Sequence, residues 1–136
     1  MNKFDILTKY IPMIKSDNFG EWVIDKENDG TMEHPIHMPF VGYSEMVNNF
    51  IKDIYNFEES NKDMELNRYG DILKANGLEW DMDDMKNVDV STLNAQCVLA
   101  LIMGAVRAER FCDGALLDFF KCGCILKWLE RLGSIQ

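Results

Sequence analysis

Arg107, Glu109 and Arg110 stand close together at the end of an apolar run, and their types suit anion chemistry. Two arginines on one helical face can hold a phosphate or a carboxylate through forked hydrogen bonds. At about 100° per helical residue, Arg107, Arg110 and Phe111 share a face with Met103, and Glu109 points away from it. Tyr43 and His37, on the connector before the first long helix, are the side chains expected to close such a site. The same three charges also have a structural reading, in which they clamp acidic N-terminal elements against the helix. Structural ion-pair networks are common, and the acidic surplus of residues 1–90 supplies partners, so the structural reading is preferred.

Other constellations carry less. Asp25-x-Glu27-x-Asp29-Gly30 begins like a calcium-binding loop, but the twelfth position is Ile36 where such a loop needs Glu, so a polar turn is expected. His34-x-x-His37 and Cys122-x-Cys124, with Cys112, offer nitrogen and sulfur donors for zinc. Neither pair has the Cys-x2-Cys spacing of a zinc site, so no metal and no essential disulfide are expected. Cys124 begins a helix, which favours a thiolate, but it acts as a nucleophile only with a histidine folded onto it. The acidic run Trp80 to Met85 is read as a solvated face with Met82 and Met85 tucked inward. The glycines are scattered and form no phosphate-cradling loop, and no cofactor is expected.

These residues must be positioned by helices. Val98 to Val106 is apolar or small throughout, as in a helix buried on all sides. The spacing predicts a central helix over Ser91–Phe111, with Ser91 as its cap. Ala100, Gly104 and Ala108 form a small-residue stripe against which another helix can pack. Asp113 is expected to cap the next helix, with Gly114 making the bend. Phe4, Leu7, Ile11 and Ile14 have helical spacing interrupted by Pro12. Phe19–Ile24 and Thr31–His37 read as two strands of a small hairpin within residues 19–37, and His34–Gly42 as an extended connector. Ser44 caps a helix whose stripe is Val47, Phe50, Ile51, Ile54 and Tyr55, followed by a polar loop over Glu58–Asp63. Leu66, Tyr69, Ile72 and Leu73 make the next helix, stopped by Asn76-Gly77, and Trp80–Asp89 reads as an irregular turn. Ala115–Lys121 is a short helix. Ile125, Trp128, Leu129 and Leu132 line a last one, ended by Gly133. The expected fold is mainly α, one compact helical domain over residues 1–136 around a buried central helix, with a small β-hairpin.

The run Arg107-Ala-Glu109-Arg110-Phe111-x-x-Gly114, followed by Gly123 and Leu129-x-x-Leu132, resembles the C-terminal signature of an uncharacterised bacterial protein family, a domain of unknown function. Trp22, the Pro39-x-x-x-Tyr43 link and the helix from Ser44 to Phe57 extend the likeness upstream. The resemblance implies a small helical domain from bacteria and their mobile elements, and it carries no activity.

Charge bounds the partners. The chain has a net charge of −9, and the charge is uneven: residues 1–90 hold 19 acidic and 9 basic groups, and residues 91–136 hold 4 and 5. That balance argues against gripping a phosphate backbone, so no direct nucleic-acid binding is expected. Met1 to Tyr10 lacks the apolar run of a signal peptide, and no segment approaches the ~20 apolar residues of a membrane span. A cytoplasmic protein with reduced cysteines follows as the expectation. The expected function is non-enzymatic, a binding or adaptor protein with a protein partner or a homodimer. The alternatives are a small-anion or enzymatic site at the arginines, and an acidic decoy for a nucleic-acid-binding protein.

Overall fold

The computed structural model describes residues 4–23, 31 and 40–135. Two one-turn helices open it, α1 (Asp5–Thr8) and α2 (Ile11–Ile14). Pro12 lies in the first turn of α2, where its missing N–H costs nothing. Strands β1 (Gly20–Val23) and β2 (Phe40–Tyr43) pair antiparallel, with Gly20 opposite Tyr43 and Val23 opposite Phe40. Helix α3 (Glu45–Ser60) follows, and Ser44 Oγ accepts the Val47 N–H at 3.3 Å as its cap. Its apolar stripe buries Val47, Phe50, Ile54 and Phe57. Two 3-10 turns lead to α4 (Tyr69–Ala75), then come α5 (Met82–Asn87), α6 (Ala95–Ala108), α7 (Ala115–Lys121) and α8 (Cys124–Ser134).

The fold is compact and mainly α, centred on α6. Every residue from Cys97 to Val106 is buried. A helix apolar on all sides needs neighbours on all sides, and α4, α7 and α8 supply them. Asn94 caps α6 by accepting the Cys97 N–H at 2.9 Å. Arg131 on α8 donates from Nε and Nη2 to the Leu93 carbonyl, at 3.1 and 2.8 Å, and so ties the last helix to the entry of the central one. Trp128, Phe50, Phe119 and Phe120 are the bulkiest fully buried side chains. Among the described residues no helix is long and apolar enough to cross a membrane.

Several boundaries differ from the pattern reading. The central helix is shorter than Ser91–Phe111, because Asn94 takes the cap and Ser91 lies in a 3-10 turn. Its helical turns stop at Ala108. The strand paired with β1 is Phe40–Tyr43, which reads as connector in the sequence. Of the expected strand Thr31–His37, all but Thr31 lies outside the described residues. Helix α3 continues through Glu58–Ser60, α5 occupies most of the expected turn at Trp80–Asp89, and α8 runs through Gly133. The small stripe on α6 admits side chains: a Cβ on Gly104 would sit 3.1 Å from Met85 Cε and 3.2 Å from Trp80 Cδ1.

Candidate functional site

The turn between α6 and α7 holds the polar chemistry of the chain. A helix begins with backbone N–H groups that have no partner within the helix. At α7 each of the first four finds one. Glu109 Oε1 accepts the N–H of Gly114 and of Leu116, both at 3.1 Å, and Oε2 also accepts from Gly114. The Ala115 N–H reaches the Cys112 carbonyl at 3.1 Å. The Leu117 N–H donates to Tyr43 Oη at 3.0 Å, and Tyr43 Oη donates in turn to Glu109 Oε1 at 2.7 Å. A carboxylate at this end also suits the helix dipole. Asp113, expected as the cap, is exposed. Gly114 occupies the cap position at φ +91°, and the capping is done by side chains from elsewhere.

Both strands are fastened to this turn. Tyr43 ends β2. Trp22 of β1 lies so close over Gly114 that a Cβ there would meet its ring at 2.4 Å. Burial, with the hydrogen bond to Glu109 and that residue's negative charge, pushes the Tyr43 phenol above its usual range. It is a neutral donor at physiological pH.

The candidate residues therefore separate. Tyr43 and Glu109 come together, bonded to each other and to α7. Arg107 ends α6 half-buried, with its guanidinium carbon 5.3 Å from the centre of the Tyr55 ring, and its buried Nε has no hydrogen-bond partner among the described residues. Arg110 is exposed beyond the end of α6, and the helical register that would align it with Arg107 stops at Ala108. Neither arginine pairs with a carboxylate among the described residues, where the ion pairs are Lys9–Asp53, Lys62–Glu59 and Arg68–Asp71. Glu109, rather than the arginines, joins the N-terminal half to the end of α6. His37 lies outside the described residues, as do His34 and Asp25–Gly30.

A second feature is not apparent from local sequence. Trp80 Nε1 donates to the Gly104 carbonyl at 3.0 Å, which lays the indole on α6. Its ring meets Tyr69 and Phe111 edge-on, with centroids 5.3 and 5.6 Å apart. Trp80, Met82, Met85, Ala108, Phe111 and Phe119 line a shallow groove of about 220 Å³. Phe111 is 77% exposed and Trp80 40%. Asp81 reaches the lining, and Asp83 and Asp84 are exposed on the adjoining α5. Met85 is buried and Met82 half-buried, as the spacing predicts. The signal available in the sequence was Trp80 at the head of an acidic run, with Phe111 directly after charged residues.

The cysteines divide in two. Cys97 and Cys124 are buried, and Cys112 and Cys122 are exposed. Among the described residues no three metal-ligating side chains converge. Comparison with curated proteins and with solved structures gives no significant match. A family model does match, over residues 1–136, and the chain belongs to that family, a family of unknown function designated DUF6508.

Proposed function

We propose that the protein is a non-enzymatic binding or adaptor protein, and that its docking surface is the groove between Trp80 and Phe111. The observation that carries this reading is the pair of exposed aromatics over an apolar floor. Aromatic anchors at the centre of a small concave patch supply most of the binding energy of many interfaces. Glu109 and Tyr43 have their polar atoms committed to α7, which supports a structural role for them. The proposed occupant is a partner-protein segment with an apolar anchor and a basic flank. Asp81, Asp83 and Asp84 border the groove, and the whole chain is acidic. In a two-fold dimer through this face those carboxylates would meet their own copies, which favours a different partner over a second copy.

The test is selection of random displayed peptides on the full chain. Enrichment of sequences with an aliphatic or aromatic anchor beside Lys or Arg is expected. Their binding should weaken with salt and fall by about 30-fold, a 2 kcal/mol hot spot, in Phe111→Ser. Peptides that bind Phe111→Ser as well as wild type would overturn the reading. Sedimentation showing a dimer that Phe111→Ser dissolves would replace the partner with a second copy.

A second reading rests on Arg107. Its buried, unpartnered Nε beside Tyr55 supports a small anionic ligand there. Phosphate should then raise the melting temperature of wild type and leave Arg107→Met unchanged.

A further inference from the structure

Cys122 and Cys124 flank the bend between α7 and α8. Gly123 makes that bend at φ +85°, a left-handed conformation that glycine adopts without strain, and a Cβ there would meet nothing within 4 Å among the described residues. The bend brings the two sulfurs to 3.0 Å, with the Cys122 thiol donating to the Cys124 sulfur. A disulfide needs about 2.05 Å, so closing the bond requires the sulfurs to move about 1 Å closer. One thiol is exposed and the other is 5% exposed.

We propose that Cys122 and Cys124 form a reversible dithiol–disulfide site that reacts with low-molecular-weight disulfides. The exposed Cys122, as its thiolate, attacks one sulfur of the external disulfide. A mixed disulfide forms on Cys122, and the first small thiol leaves with the proton that Cys122 gave up. The Cys124 sulfur then attacks the Cys122 sulfur, forms the internal disulfide and expels the second small thiol, which takes the Cys124 proton. Two protein thiols are oxidised and one external disulfide is reduced to two thiols, so no other reactant is needed.

The surroundings assign the two roles. Burial first, then the hydrogen bond that the Cys124 thiol donates to a Cys122 thiolate and that thiolate's charge, push the Cys124 thiol up to about 12, against the opposing pull of Lys127 and Lys86. Cys124 therefore stays protonated while Cys122 is reduced, and Cys122 is the attacking group. Once Cys122 is in a mixed disulfide, its hydrogen bond and charge no longer raise the Cys124 thiol, and Lys127 and Lys86 are left to oppose burial alone. A disulfide spanning one intervening residue is strained and readily reduced, which suits a reversible site rather than a structural bridge.

The test uses the full chain carrying Cys112→Ser, treated with glutathione disulfide under native conditions, then alkylated in denaturant and weighed intact. The expected product lacks two hydrogens and two alkylation sites and carries no glutathione. Cys124→Ser should stop at one glutathione on Cys122, and Cys122→Ser should take up none. Circular dichroism checks that each variant is folded, and Cys124→Ala replaces Cys124→Ser if the hydroxyl unfolds the junction. An unmodified Cys112→Ser chain, a chain that stops at the glutathione adduct, or a Cys122→Ser chain that reacts as readily would each overturn the proposal.

Discussion

Tyr43 and Glu109 act as one unit, because each supplies the other's hydrogen bond while both hold the start of α7. Tyr43→Phe leaves the Leu117 N–H without its acceptor, and Glu109→Gln turns an amide N–H toward backbone donors. Each should lower stability by about 1–3 kcal/mol, the cost of an unmet buried polar group. Urea midpoints of the two single variants and the double variant check this. The double variant should lose less than the sum, with a coupling of about 0.5–3 kcal/mol. Arg110→Met should fall within about 0.5 kcal/mol of wild type, since Arg110 is exposed and unpaired among the described residues. The Tyr43 effect also has a pH signature. Its phenol is raised above the ordinary value of 10.0, so the folded chain holds that proton more tightly than the unfolded chain. This contribution is complete below pH 10 and is lost as pH rises above it, so the gap between wild type and Tyr43→Phe should narrow in alkali. A gap constant with pH would mean that the phenol makes no such bond. None of this was legible locally: 66 residues separate Tyr43 from Glu109, and the helical count, which turns Glu109 away from the arginine face, does not say what it meets there.

The elements were most legible where a local stripe and a local cap coincide. Ser44 with the α3 stripe matches the spacing because nearby contacts decide it, whereas α7 matches in its stripe alone and takes its cap from Glu109 and Tyr43. The all-round apolar run identified α6 as central, but its ends are set by polar side chains, Asn94 at the start and Glu109 turning away at the end, and periodicity cannot see these. Pairing of β1 with β2 is a long-range choice, and Pro39 beside β2 disguised a strand as a connector. At Gly104 the small-residue stripe meets Met85 of helix α5 and the Trp80 indole just before it. Gly104→Leu should destabilise, because the larger side chain must displace the indole and break its bond to the Gly104 carbonyl. Overpacking costs about 1–3 kcal/mol and the lost bond about 1, against a gain of just under 1 in helix propensity. The net expectation is a loss of about 1–3 kcal/mol. A red-shifted tryptophan emission should accompany it as Trp80 leaves α6. A lowered urea midpoint with unchanged emission would place the strain elsewhere in the helix.

At the scale of the whole molecule, charge is arranged for repulsion more than attraction. The chain carries −9, with the surplus in residues 1–90. The three ion pairs among the described residues all involve at least one half-exposed partner, and two of them join neighbours on the same short stretch of chain. Such pairs contribute about 0–1 kcal/mol each. Self-repulsion of a net charge this far from zero opposes the compact state at every separation within a Debye length, which is about 30 Å in 0.01 M salt and 8 Å at 0.15 M. Screening should therefore remove more repulsion than attraction, and added salt should stabilise the fold. The expected result is a melting temperature that rises by several degrees between 0.01 M and 0.15 M sodium chloride. The shift at about 1 °C for a few tenths of a kcal/mol is within reach of calorimetry for a domain of this size. Sodium sulfate at matched ionic strength separates screening from surface exclusion, because only the exclusion term differs between the two anions. A melting temperature that falls with chloride would mean that attractive pairs dominate. The acidic rim of Asp81, Asp83 and Asp84 would then lie in a more balanced field than the composition implies, and the argument for a basic flank on the groove's partner would lose its electrostatic support.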